Sequence, residues 1–65
     1  MWVEFMNVRS GYVAETWREL FAAEGLSVRV IPPVGKGEKA SMRDARTLYV
    51  PTGKAHVARE ILRKI

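Results

Sequence analysis

The chain contains no cysteine and only one histidine, His56. Without cysteine it can form neither a disulfide framework nor a thiolate metal site. No second histidine and no pair of carboxylates lies at ligand spacing from His56, and no Ser-His-Asp or Cys-His arrangement can be assembled. We therefore expect no metal site, no cofactor and no enzymatic activity.

Long apolar runs are also missing. No stretch approaches the roughly 20 apolar residues that span a bilayer, and the residues after Met1 lack the basic and apolar segments of a secretory signal. We expect a cytoplasmic protein without membrane contact. Its 65 residues predict one domain, 1–65, of modest stability. The net charge of +4 favours encounters with anions but does not choose among them.

The first apolar segment, residues 2–8, predicts a strand whose alternation is imperfect. Trp2, Met6 and Val8 fall on one side and Val3 and Phe5 on the other, so either set could face the core.

A helical pattern follows from Tyr12, because apolar residues recur there at spacings of three and four. Gly25 supplies a position that tolerates the left-handed conformation and ends this helix, and Leu26 can fold back on its last turn. Residues 27–31 and 46–50 then alternate as short strands. Residues 34–44 predict a long loop, and Thr52 is the predicted cap of a second helix.

This order predicts an α+β domain, a two-layer β-α-β-β-α sandwich. A split β-α-β unit places the third strand between the first two, antiparallel to both, with both helices on one face. The result is a ferredoxin-like fold without its last strand. The predicted core joins the inward side chains of the later strands to the helical stripes: Val28, Val30, Leu48, Val50, Trp17, Leu20, Phe21, Ala58, Ile61 and Leu62.

Three segments resemble a small bacterial family described as signal-transducing proteins of unknown function. They are residues 14–28, which include FAAEGL at 21–26, residues 48–51, which end in Val50-Pro51, and AREIL at 58–62. In the family, a first helix ends in Leu-Glu-Ala-Glu-Gly-Ile, a later strand ends in Val-Pro and the last helix carries Ala-x-x-Leu-Leu. The resemblance implies a fold similar to the nitrogen-regulatory PII (GlnB-like) proteins. In those proteins the loop between the second and third strands contacts partners and helps to bind nucleotide, and residues 32–44 correspond to it by position.

That loop is the first candidate site. Lys36 lies between two glycines, with Lys39 and Arg43 nearby, so exposed amides and cations could hold a phosphate, a nucleotide or a protein partner. The alternative is an ordinary solvated loop, since the P-loop pattern G-x-x-x-x-G-K-[ST] is absent.

The second candidate site is the outward side of the sheet, predicted to carry Arg29, Ile31, Thr47 and Tyr49, joined by whichever apolar set of residues 2–8 does not face the core. This face, or the edge of the first strand, could support a homodimer. It could also stack single-stranded RNA on its aromatic side chains, with Arg29 and Arg46 near them, although residues 45–50 lack the Gly-aromatic pattern of the common RNA-recognition module. A third alternative is surface without a partner, because monomers expose some apolar area. We expect a small regulatory or protein-interaction module that is homodimeric, with an unidentified protein partner.

Overall fold

The computed structural model describes residues 1–33, 35 and 39–64, which form three strands and two α-helices. Their order is β1 (Trp2–Val8), α1 (Gly11–Ala23), β2 (Arg29–Ile31), β3 (Arg46–Pro51) and α2 (Ala55–Lys64), with a 3-10 turn at Thr52–Lys54 before α2. In the sheet, β3 lies between β1 and β2 and is antiparallel to both. The prediction of an α+β domain with a three-stranded antiparallel sheet and two helices is confirmed.

A β-bulge in β1 explains the imperfect alternation of that strand. Glu4 pairs with Tyr49 of β3 and Met6 with Leu48, so Phe5 is an extra residue between two consecutive pairs. An extra residue shifts the alternation by one position. As a result Val3, Phe5, Met6 and Val8 all pack against the core. The prediction of one set or the other was wrong, because both sets face the core except Trp2.

Helix α1 has a capping motif at each end, formed by residues next to the helix in sequence. At the start, the side chain of Ser10 accepts a hydrogen bond from the N–H of Val13 at 3.2 Å, an N-cap that the pattern beginning at Tyr12 did not predict. At the end, Gly25 has a φ of +84°. The N–H groups of Gly25 and Leu26 donate to the carbonyls of Ala22 and Phe21, both at 2.9 Å, which is a complete Schellman motif. The predicted stop at Gly25 is confirmed.

The core lies on one face of the sheet, beneath both helices. Phe21 is its centre in α1, with ring centroids 6.0 Å from Phe5 and 5.9 Å from Trp17. Its buried apolar residues are Val8, Ala14, Phe21, Leu26, Leu48, Val50, Ala58 and Ile61. Because α1, α2 and the inward residues of β3 share this cluster, the two helices pack on the same face.

Leu20 is the one predicted core residue that neither belongs to this cluster nor packs against it. Its side chain is 39% exposed. The buried side of α1 follows Ala14 and Phe21, with Trp17 between them, and Leu20 lies about 100° around the helix from Phe21. The apolar stripe of α1 is therefore narrower than its sequence suggests.

The Thr52 cap of the second helix was also predicted wrongly. The N–H and the hydroxyl of Thr52 both donate to the carbonyl of Met1, at 2.9 and 3.1 Å. A 3-10 turn separates Thr52 from α2, so its hydroxyl fastens the start of β1 instead of capping a helix. Within the described ranges, neither helix has the length and apolar content to cross a membrane.

Candidate functional site: the open face of the sheet

The sheet side opposite the helices, here called the open face, carries side chains from all three strands. They are Trp2, Glu4 and Asn7 from β1, Thr47, Tyr49 and Pro51 from β3, and Arg29 and Ile31 from β2. The sequence predicted Arg29, Ile31, Thr47 and Tyr49 for this face, and the strand register brings these four together. Whether they form a binding site stays a prediction.

Two cross-strand rows organise the open face. In one row, Tyr49 of β3 lies between Glu4 of β1 and Arg29 of β2. The half-buried Tyr49 is thus flanked by one acidic and one basic side chain, about 5 Å away on either side. This row presents a mixed-charge surface around an aromatic centre.

The second row is polar on one side and apolar on the other. Thr47 lies between Asn7 of β1 and Ile31 of β2. Its hydroxyl donates to Oδ1 of Asn7 at 2.7 Å, which fixes both side chains. Ile31 is 40% exposed and continues the apolar part of the face toward the β2 edge.

Trp2 is an open-face residue whose side of the sheet the sequence left undecided. The Arg29 guanidinium carbon lies 4.5 Å from the centroid of the Trp2 ring, within the range of a cation–π interaction. Trp2 belongs to one edge strand and Arg29 to the other, so the pair reaches across β3. The alternation of residues 2–8 grouped Trp2 with Met6 and Val8, and only the bulge separates it from them.

Arg46 serves the loop before β3 and not the aromatic face. Its guanidinium donates to the carbonyls of Ser41, Asp44 and Ala45 at 2.8, 2.8 and 3.1 Å. In the strand pairing it lies opposite Val8, on the core side of the sheet. The proximity of Arg46 to the aromatic residues, expected from sequence, is therefore wrong.

The predicted anion-binding loop is described only in part. Lys36 lies outside the described residues, while Lys39 and Arg43 are exposed. The N–H of Arg43 donates to the hydroxyl of Ser41 at 3.2 Å, and the N–H of Ser41 donates to Oδ2 of Asp44 at 2.9 Å. These bonds form a local turn that orders the backbone around Arg43. Anion binding by Lys36, Lys39 and Arg43 stays a prediction.

The described residues hold no group of three or more histidine, cysteine, aspartate or glutamate side chains suited to a metal ion. His56 is exposed near the start of α2. In the same part of the chain no concave pocket is found. The open face is the candidate site on which the strand register places most of the predicted residues.

Comparisons of the chain with protein-family models, with curated proteins and with solved structures found no match.

Proposed function

We propose that the protein is a small non-catalytic regulatory module that self-associates and binds a protein partner through the open face. The observation that carries the proposal is the open face itself, which presents Trp2, Tyr49 and Ile31 on the side of the sheet that neither helix of the described chain covers. Aromatic and arginine side chains are the residue types enriched at protein interfaces.

We further propose that the fold is ferredoxin-like and akin to that of the PII (GlnB-like) proteins, without the last strand. The strand order β1-β3-β2, with α1 between the two parallel edge strands, supports this assignment. So do the motifs at 21–26 and 50–51, which form the Schellman stop of α1 and the end of β3. The regulatory role rests on the family resemblance.

A matched pair of substitutions tests the role of the open face. Ile31 is 40% exposed on the sheet and Leu20 is 39% exposed on α1, so Ile31→Lys and Leu20→Lys add the same charge at equal exposure. In affinity capture, a partner of the open face should be retained by the wild type and by the Leu20 variant and lost by the Ile31 variant. Equal retention by both variants would remove the open face from the proposal.

Sedimentation velocity over a concentration series tests self-association. The sedimentation coefficient should rise with concentration as copies associate. A coefficient that stays at the value of a single chain at several hundred micromolar would remove the homodimer from the proposal and leave partner binding intact.

A second candidate function, binding of single-stranded RNA, is favoured by the placement of Trp2 and Tyr49. They lie on adjacent strands of the open face, with Arg29 beside both, and aromatic rings on the uncovered face of a sheet can stack bases. Titration with a single-stranded oligonucleotide at rising salt separates this function from protein binding. RNA binding should weaken steeply with salt and fall on Trp2→Ala. Absence of binding at low salt would exclude it.

A further inference from the structure

The outer edge of β1 is the longest unpaired backbone edge among the described residues. The strand has seven residues and pairs with β3 on one side, whereas the free edge of β2 has only three residues and runs into Pro32. An unpaired edge of this length is a template for another strand unless it is blunted.

The bulge limits which strands can pair with this edge, because it interrupts the alternation of core-facing and open-face side chains along β1. Before the bulge, Val3 and Phe5 face the core; after it, Met6 and Val8 do. A regular strand alternates without interruption, so it matches the faces of β1 either before the bulge or after it. The bulge therefore blunts the edge against ordinary strands.

We propose that the edge pairs with β1 of a second copy, antiparallel, with Val3 opposite Val8 of the second copy, Glu4 opposite Asn7 and Phe5 opposite Met6. This inference specifies the self-association included in the proposed function and rests on it. Both strands carry the bulge, so the two interruptions meet at the two-fold axis and every pair matches in face. The exposed Arg9, one residue beyond β1, comes opposite Trp2.

Other registers of the same pairing fail on face matching. A shift of one residue sets core-facing residues against open-face residues at every pair except the central one. A shift of two residues gives the same mismatch of faces at the central pairs. In one direction Glu4 lies opposite Phe5, and in the other Met6 lies opposite Asn7. A shift of three residues in one direction sets Glu4 opposite Glu4, and like charges directly opposite destabilise a strand pair. In the other direction, only the last three residues of β1 remain paired.

The surfaces that the second copy would cover are apolar. Val3, Phe5 and Met6 pack against the core, yet each is only half-buried in a single chain. The proposed pairing extends the core row beneath the helices with Val3 against Val8 and Phe5 against Met6, and burial of such side chains favours association. The product is a six-stranded sheet with all four helices on one side and a doubled open face on the other.

Single-cysteine variants test the register, because the natural chain has no cysteine to interfere. Glu4→Cys and Asn7→Cys, distinguished by isotope labelling of one of them, are kept reduced and then oxidised in three samples: each variant alone, and an equimolar mixture of the two. The mixture should give a cross-linked dimer of one chain of each at several-fold higher yield than either variant alone, because directly opposite Cβ atoms are close enough to bridge. Equal yields, or a dominant dimer of Glu4→Cys with itself, would overturn the register.

A measurement on the unmodified chain complements the cross-link. Val3 and Val8 are about 17 Å apart along one strand, too far for a nuclear Overhauser effect. In a mixture of labelled and unlabelled protein, a filtered effect between the methyl groups of Val3 and Val8 should therefore appear between copies. A dimer in sedimentation without this effect and without the preferential cross-link overturns the pairing but keeps self-association. A single chain at all concentrations overturns both.

Discussion

Gly25 ends helix α1 by adopting a left-handed backbone conformation. A left-handed φ of +84° is strained for any residue with a Cβ atom, although no atom lies within 4 Å of where that Cβ would be. We expect Gly25→Ala to lower the free energy of unfolding by about 1 to 2 kcal/mol, a purely conformational cost. Urea unfolding measures it. Gly25→Asn should lose less, since asparagine tolerates this region; an equal loss for both variants would contradict the explanation.

Glu15 and Arg18 form the closest ion pair of α1, with two hydrogen bonds of 2.6 and 2.7 Å. The hydrogen bonds from Arg18 hold the pKa of Glu15 below its ordinary value of 4.5. Because the pKa is lowered in the folded state, the pair stabilises the protein above the unfolded-state pKa, and this contribution is lost as the pH falls through the folded-state pKa. Both side chains are exposed, so the effect is small.

The Glu15 pair predicts a specific change in acid stability. Glu15→Gln should reduce stability slightly at neutral pH and should flatten the decline in stability below pH 4.5. Thermal unfolding followed by circular dichroism over a pH series measures both effects. Glu19→Gln removes the same charge from the same helix and is the control. A decline as steep in Glu15→Gln as in the wild type would contradict the role of the pair.

At the scale of elements, successive side chains of β3 alternate between the core and the open face of the sheet. Leu48 is fully buried in the core, whereas its neighbour Thr47 bonds to Asn7 on the open face. We expect Leu48→Ala to cost about 2 to 5 kcal/mol, a large share of the stability of so short a chain. Thr47→Ala should cost only about 0.5 to 1.5 kcal/mol. Chemical denaturation of both variants gives the comparison, and similar losses would contradict the assignment of faces.

How far the sequence predicts an element depends on where its signal lies. Local signals, such as Gly25 with Leu26 at the end of α1, predicted the structure correctly. The bulge at Phe5 did not appear in the sequence pattern, because it is defined by pairing with a strand about 40 residues away. Thr52 was misassigned for the same kind of reason: as a cap its hydroxyl oxygen would accept from a nearby backbone N–H, whereas in the structure the hydroxyl donates to the carbonyl of Met1, 51 positions away.

The candidate site was predictable to the same extent. Strand alternation in β2 and β3 placed Arg29, Ile31, Thr47 and Tyr49 on one face, because neither strand is interrupted. The side of Trp2 stayed undecided because its strand is interrupted. The loop candidate depended on composition and on its position in the family resemblance, and Lys36 lies outside the described residues.

At the scale of the whole molecule, a chain of 65 residues buries only about 60% of its unfolded surface, less than a larger domain does, and gains modest stability from its own core. Association with a second copy adds stability by mass action. We therefore expect the midpoint of thermal unfolding to rise with protein concentration, and differential scanning calorimetry at several concentrations measures the rise. Asn7→Pro removes a backbone donor from the β1 edge and should abolish the dependence. A wild-type midpoint that is independent of protein concentration would contradict stabilisation by association with a second copy.

The central position of β3 also governs the route by which the chain folds. β1 and β2 are not neighbours, and each has β3 as its partner in the sheet. The hydrogen bonds between β1 and the β3 end of the chain join residues that are 40 and 51 positions apart. The chain must therefore lose the entropy of closing a long loop before these contacts can stabilise the fold. A growing chain that ends before residue 46 can form α1 but has no sheet for it to cover. Folding of this domain therefore begins when β3 becomes available, and the order in which the strands are synthesised is not the order in which they pair.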